Sequence, residues 1–193
     1  MTNTAASNLH VRREHEKAKY LALAARHRSY GATNHGKAAV PLVRRIRPVP
    51  RLVVDFGCGC NDFIHELRRL GIDGLGIDFA FQEADVVAPM HHTGLLDGVA
   101  DVVTSFDALE HLLPEDVDRV LEETRRVGRA GANFIFSICT RPSRIKVNGE
   151  GLHPTVMPLK WWLERIGRVG VVRETRAAGR YVTGRFKRDC CRA

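Results

Sequence analysis

The chain has 193 residues, 44% of them hydrophobic, and no apolar run of membrane-spanning length, so a soluble single domain with a full core is expected. Its 30 Lys and Arg against 22 Asp and Glu leave a net charge of +8, which favours an anionic partner, yet the arginines are scattered in short groups and read as solvated faces. The cysteines, Cys58, Cys60, Cys139, Cys190 and Cys191, lack disulfide spacing and imply a reducing, cytoplasmic setting; no C-x-x-C pair or matching histidine spacing marks a metal site among them.

Residues 1–8 are small and polar and read as a loose terminus. Residues 9–27 form a helix with Tyr20, Leu21, Leu23 and Ala24 apolar, broken by SYGATNHGK; a second helix over 38–46 ends at Pro48 and Pro50. The apolar run LVV then leads through Asp55 into Gly57 and Gly59, and NDFIHELRRL follows. That is a strand, a tight turn, and a helix with Phe63, Ile64, Leu67 and Leu70 on one face and Asn61 or Asp62 as N-cap. A second strand, GLGID, ends at Asp78. Only FAFQEA separates it from Asp85, whereas a helical crossover takes about ten residues or more, so this crossover is reduced to a turn. A buried strand over 102–106 feeds a loop carrying Asp107, Glu110 and His111. Pro114 opens a helix with Val117, Val120, Leu121 and Val127 on one face. After a strand over 132–139 comes a long basic loop with His153, then the helix PLKWWLERIG, where Trp161 and Trp162 cannot face the same way. The end, RVGVVRETR and RYVTGRFKR, alternates as an antiparallel hairpin.

The turn after the first strand carries the chemistry. Its glycines allow close backbone approach to a nucleotide-like ligand at a strand's carboxyl end. A dinucleotide fingerprint needs a third glycine at position 62, where Asp62 would repel a pyrophosphate on the helix N-terminus. S-adenosylmethionine has no phosphate and carries a sulfonium and an ammonium, so acids suit it. Asp55 is placed to hold the ammonium and Asp78 to take ribose hydroxyls.

These stretches resemble the class I S-adenosylmethionine-dependent methyltransferases of the small, single-domain type. The carriers are DFGCGCND, GIDF around Asp78, ADVV at Asp85 and DVVTSFDALEHL from 101 to 112. The resemblance implies a three-layer α/β/α Rossmann-like sheet, mostly parallel, with a C-terminal antiparallel hairpin and the reduced second crossover. It divides the chain into an N-terminal helical lid (1–39), a methyltransferase domain (40–188) and a tail (189–193). Cofactor contacts fall to Asp55, Gly57, Cys58, Gly59, Asp78, Phe79, Asp85, Val86 and Asp107, with Asp85 accepting from the adenine amine and Val86 packing on its ring. Tyr30 and His35, among Gly31 and Gly36, are lid residues or an ordinary loop. The family has a third glycine where this chain has Asn61, a residue that tolerates left-handed backbone angles.

The reaction implied is in-line displacement of the sulfonium methyl onto an oxygen or nitrogen acceptor, a small molecule or nucleic-acid-related. His111 and His153 are the candidate bases; each can equally be a structural histidine. No N/D-P-P-aromatic motif follows the fourth-motif strand, which argues against an amino-methylating DNA enzyme. The alternative is a cofactor-binding module with a regulatory or partner-binding role and no methyl transfer.

Overall fold

The apolar run 52–56 becomes β1 (Leu52–Phe56), the strand on which the sheet of this computed structural model is built; residues 2–26, 34–176 and 181–187 are described. Before it come α1 (Thr2–Arg26) and α2 (Asn34–Arg44). After it follow α3 (Asp62–Arg69), β2 (Asp73–Asp78), β3 (Val86–Val87), β4 (Ala100–Phe106), a 3-10 turn (Leu109–His111) and α4 (Pro114–Val127). The chain continues through β5 (Gly128–Ser137), β6 (Lys146–Val147), β7 (Glu150–Gly151), α5 (Leu159–Val169), β8 (Gly170–Arg176) and β9 (Tyr181–Phe186). Seven strands pair in the order β3-β2-β1-β4-β5-β9-β8. β1 to β5 run parallel, and β9 and β8 join antiparallel.

Alternation along the strands makes two cores. Val53, Val102, Phe106 and Ile135 face α2 and α3, meeting Ala39, Val43, Phe63, Ile64 and Leu67. Val54, Phe56, Val103, Phe134 and Phe136 face α4 and α5, meeting Val117, Leu121, Trp162 and Ile166. Each such side chain contributes about 1.5–3 kcal/mol by leaving water. Trp162 is in the second core, while Trp161 lies outside it under the Arg165 guanidinium, 3.5 Å from the ring centre. The expected three-layer α/β/α sheet with its antiparallel end is therefore the fold formed. The second crossover has no helix, yet its strand survives: Val86 and Val87 pair with Ile77 and Asp78.

Several boundaries differ from expectation. α1 begins at Thr2, since nothing between Thr2 and Leu9 breaks a helix. β5 starts at Gly128, directly after α4, because Gly128 already pairs with Ala100 across a register shift. Leu70 is 43% exposed: α3 stops at Arg69, and Gly71, at φ 76°, turns the chain into β2. Asn61 is the N-cap residue, but its side chain makes no capping bond. Tyr30, the side chain of His35, Cys190 and Cys191 lie outside the described residues. Among those described, no helix is long and apolar enough to cross a membrane.

Candidate functional site

The chain runs outward from β1 to β2 and β3 in one direction and through β4 and β5 in the other, so the crevice between the ends of β1 and β4 is where such a sheet binds ligands. The turn leaving β1 alternates through three left-handed residues, Gly57 at φ 76°, Gly59 at 55° and Asn61 at 62°. A Cβ on Gly57 would stand 2.4 Å from the Ala108 Cβ, so only glycine lets the two loops close together here. The Gly57 and Cys58 N–H groups donate to the Ile77 carbonyl, which ties the turn to β2. Cys58 itself is a buried thiol, its ionisation opposed by that burial and by the acids around it.

Two acids flank this turn. Asp55 points to the α2/α3 side of β1, is 3% exposed, and accepts a 2.6 Å bond from the hydroxyl of Thr104, its register partner on β4. Burial pushes its carboxyl up to about 7, against the pull of Thr104. Asp78, at the end of β2, accepts from the backbone N–H of Gly59 at 3.1 Å, Ala80 at 2.8 Å and Phe81 at 3.3 Å. Burial still raises it above the ordinary carboxylate value. Among the described residues no Lys, Arg or His side chain pairs with Asp55 or Asp78. Two carboxylates, Asp55 buried and Asp78 partly buried, without a described cation beside a glycine turn make a fitting seat for a positively charged ligand.

Asp85 is placed differently. It accepts from Asn61 Nδ2 at 3.0 Å, from the Gly76 N–H at 2.8 Å and from Arg68 at 2.8 Å. Burial works to raise its pKa, and these three donors outweigh it, so it stays below the ordinary value. Its carboxylate fastens α3 and the turn to β2. Val86 beside it is half-buried.

On the other side of the crevice, Asp107 turns left-handed at φ 49° and is fixed by Ser137, whose hydroxyl donates to its carboxylate at 2.9 Å. Glu110 is fully buried. One carboxylate oxygen accepts from the Cys139 N–H at 3.1 Å, the other has no donor among the described residues, and burial pushes the group up to about 7. Thr155 zips the later loop onto this one, its N–H donating to the Glu110 carbonyl at 3.2 Å and its hydroxyl to that of Leu112 at 2.6 Å.

His111 Nδ1 lies 2.8 Å from the Leu152 carbonyl, and the Tyr20 hydroxyl contacts both. Burial, reinforced by nearby His153, lowers His111 to about 4 and keeps it neutral near pH 7. His153 has its Nδ1 2.7 Å from the Arg141 carbonyl and meets His111 edge-on, with ring centres 4.7 Å apart. The two candidate histidines, from loops after β4 and β7, therefore come together.

What covers this edge of the sheet is α1. Tyr20, Leu23 and Leu152 form a small core with Phe79. Further along the helix, Arg12 and Arg13 pair with Glu115 and Asp116 at the start of α4, and Lys19 donates to the Gly151 carbonyl at 3.2 Å. Leu152 and Glu150 reach α1 because β6 and β7 form a hairpin through Asn148 at φ 52° and Gly149 at φ 84°. That is a two-residue Asn-Gly turn with both angles positive, a signal present in the sequence inside what read as plain loop.

Two surface cavities lie elsewhere. One of about 460 Å³ is lined by His91, Arg119 and Glu123 along α4, and one of about 190 Å³ by Pro48, Asp101 and Arg185. Several arginines pair with acids within the molecule: Arg68 with Asp85, Arg126 with Asp97 and Glu123, Arg129 with Asp101, and Arg168 with Asp118.

Residues 54–136 match the methyltransferase domain family. No curated protein matches the chain. Among solved structures, the PH0226 protein of Pyrococcus horikoshii OT3 superposes with a TM-score of 0.69 at 14% identity, over 85% of this chain and 98% of that one. The 1,6-didemethyltoxoflavin-N1-methyltransferase of Burkholderia thailandensis, solved with 1,6-didemethyltoxoflavin and S-adenosylhomocysteine, gives 0.63 at 13%, over 80% and 79%. A SAM-dependent methyltransferase from Methanosarcina mazei gives 0.62 at 13%, over 78% and 98%. At such identities these likenesses speak to the fold, and the family match speaks to the sequence within it. The matched domain runs from strand β1 to strand β5 and the sheet order is complete around it, so residues 54–136 carry a methyltransferase domain within a Rossmann-like methyltransferase fold.

Proposed function

We propose that the protein transfers a methyl group from S-adenosylmethionine to an oxygen or nitrogen of an acceptor that reaches the crevice beneath α1. The observation that carries this reading is the pair of acids, buried Asp55 and partly buried Asp78, set without cationic partners among the described residues on either side of the left-handed turn 57–61. A sulfonium nucleoside with an ammonium group answers that charge, and a dinucleotide does not.

In this reading Gly57, Cys58 and Gly59 line the cofactor's seat, Asp55 attracts its ammonium, and Asp78 takes the ribose hydroxyls while its backbone bonds keep it aimed. Phe79 and Val86 supply apolar contact for the adenine. Asp85, already accepting three bonds, has the task of holding the turn in shape. Asp107, fixed by Ser137, borders the methyl end. When bound, the cofactor supplies an electrophilic methyl; what the chain supplies is position, worth up to about 7–11 kcal/mol where alignment is good. His111 and His153 stand where an acceptor's proton would leave, and α1 with the 146–151 hairpin excludes water, acting as the lid.

Calorimetry with S-adenosylmethionine and with NAD tests the cofactor. Saturable binding of the first alone is expected, and binding of NAD alone would overturn the reading. Transfer of radiolabelled methyl into extract fractions tests the reaction; tight cofactor binding with no labelled product from any fraction would favour a binding module.

A further inference from the structure

We infer that Glu110, His111 and His153 form a site for a single divalent cation of the zinc type, open on the acceptor side of the crevice. The sequence offers no metal-ligand spacing, because the donors come from two loops, Glu110 and His111 after β4 and His153 after β7. The fold brings one ligand atom of each to within 4.8 Å of the others. Donors on a tetrahedral zinc stand roughly 3.3 Å apart, given bonds of about 2.0–2.1 Å, so modest side-chain rotation closes the set.

The hydrogen bonds prepare these side chains for coordination. A backbone carbonyl can only accept. The Arg141 carbonyl, 2.7 Å from His153 Nδ1, therefore calls for a proton on that nitrogen, and at His111, where the Tyr20 hydroxyl donates to the Leu152 carbonyl, the tautomer with a proton on Nδ1 lets that nitrogen donate to the same carbonyl at 2.8 Å. Both imidazoles then carry their lone pair on Nε2, the arrangement that outer carbonyls impose on metal-bound histidines. Glu110 is fully buried, and one of its oxygens is held by the Cys139 N–H while the second has no donor among the described residues. An unsatisfied carboxylate oxygen at zero exposure is costly to keep, and a cation removes that cost. Two imidazoles and one carboxylate form a donor set suited to zinc and its neighbours, with coordination positions left for water or substrate.

The ion's use in catalysis rests on the methyl-transfer reading; its binding does not. An acceptor hydroxyl on the open position would lose its O–H proton to water, and the metal-held oxygen would then bond the methyl carbon as the carbon–sulfur pair stays on sulfur. In that case the two histidines act as ligands, and no free base is needed.

The test is metal alone. Protein stripped with a chelator is titrated with cobalt(II) and then with zinc(II), following visible absorption. The expected result is one cobalt per chain, with d–d bands of a low-coordinate site, no near-ultraviolet thiolate band, and displacement by zinc. His153→Ala should weaken uptake by about 100-fold or more. His15→Ala, in the exposed His15, Glu16 and Glu150 cluster, should leave it unchanged. If His153→Ala does not fold, Glu110→Gln, which keeps the side chain's shape, serves in its place. No saturable uptake, a thiolate band, or uptake indifferent to both variants would overturn the proposal. S-adenosylhomocysteine binding, measured on the same samples, shows separately whether the cofactor reading stands.

Discussion

Asn61 stands over Gly76: a Cβ at position 76 would lie 2.0 Å from the Asn61 Oδ1 and 2.7 Å from the Cys58 Sγ. The side chain that replaces the family's third glycine thus occupies room left by a glycine on the neighbouring strand. From there its Nδ2 donates to the Glu83 carbonyl at 3.1 Å and to Asp85 at 3.0 Å. The departure changes how the turn is anchored and leaves its left-handed backbone in place.

Gly76→Ala should therefore destabilise the protein by about 2 kcal/mol or more, as overpacking against a rigid turn does. Asn61→Gly keeps the backbone angle and empties the space, so the double variant should recover much of that loss. A double-mutant cycle by urea unfolding measures the coupling; simple additivity would show that the two side chains do not compete.

Asp55 sets stability against binding. Its folded pKa, about 7, lies above the unfolded value of 3.8, so the folded state holds the extra proton. That contribution is complete below pH 3.8 and is lost as pH rises through 7. At pH 8 Asp55→Asn should stabilise the unliganded protein by about 1–3 kcal/mol and flatten this part of its pH profile. The same change should weaken S-adenosylmethionine binding. An Asp55→Asn protein less stable than wild type at pH 8 would contradict the assignment.

For Asp78 the expected change is in affinity. Asp78→Ala removes the proposed ribose acceptor and the acceptor of three backbone N–H groups, and calorimetry should show binding weakened by roughly 1–3 kcal/mol. Unchanged affinity would remove Asp78 from the site.

Away from the site, Glu123 joins α4 to the segment before β4. It accepts from the Thr93 N–H at 2.9 Å, the Thr93 hydroxyl at 2.8 Å and Arg126 at 2.7 Å. The bond from Arg126 is the main reason its pKa falls from 4.5 to about 2. A depressed carboxyl stabilises above its unfolded pKa and loses that contribution as pH falls from 4.5 toward 2. Because Arg126 is partly in solvent, Glu123→Gln should cost only about 1–2 kcal/mol at pH 7 and soften the acid transition. A pH 3 stability difference as large as that at pH 7 would show the effect is not ionic.

The strand and turn at 52–59 were legible in the sequence because an unbroken apolar run, an acid and two spaced glycines each constrain the backbone locally. The short crossover was legible from chain length alone. Less visible was anything that depends on distant segments meeting. Asp85 read as an adenine contact by its position after β2, and only the fold shows Arg68, Asn61 and Gly76 converging on it. Cover over the crevice was expected from Tyr30 and His35; among the described residues it is Tyr20, one helix earlier, that reaches His111. Glu110 and His153 are 43 residues apart in the chain, and no periodicity links them. Their meeting depends on the Asn148-Gly149 hairpin and on Thr155, whose bonds fasten one loop to the other.

Where the cofactor sits is decided by a crystal structure grown with S-adenosylhomocysteine. The predicted result is density against residues 57–59, with the ribose hydroxyls on Asp78, the amino group toward Asp55 and the sulfur facing the loop of Asp107 and His111. A saturated crystal with the ligand in the groove beside Arg119 and Glu123, or with no ligand bound, would contradict it.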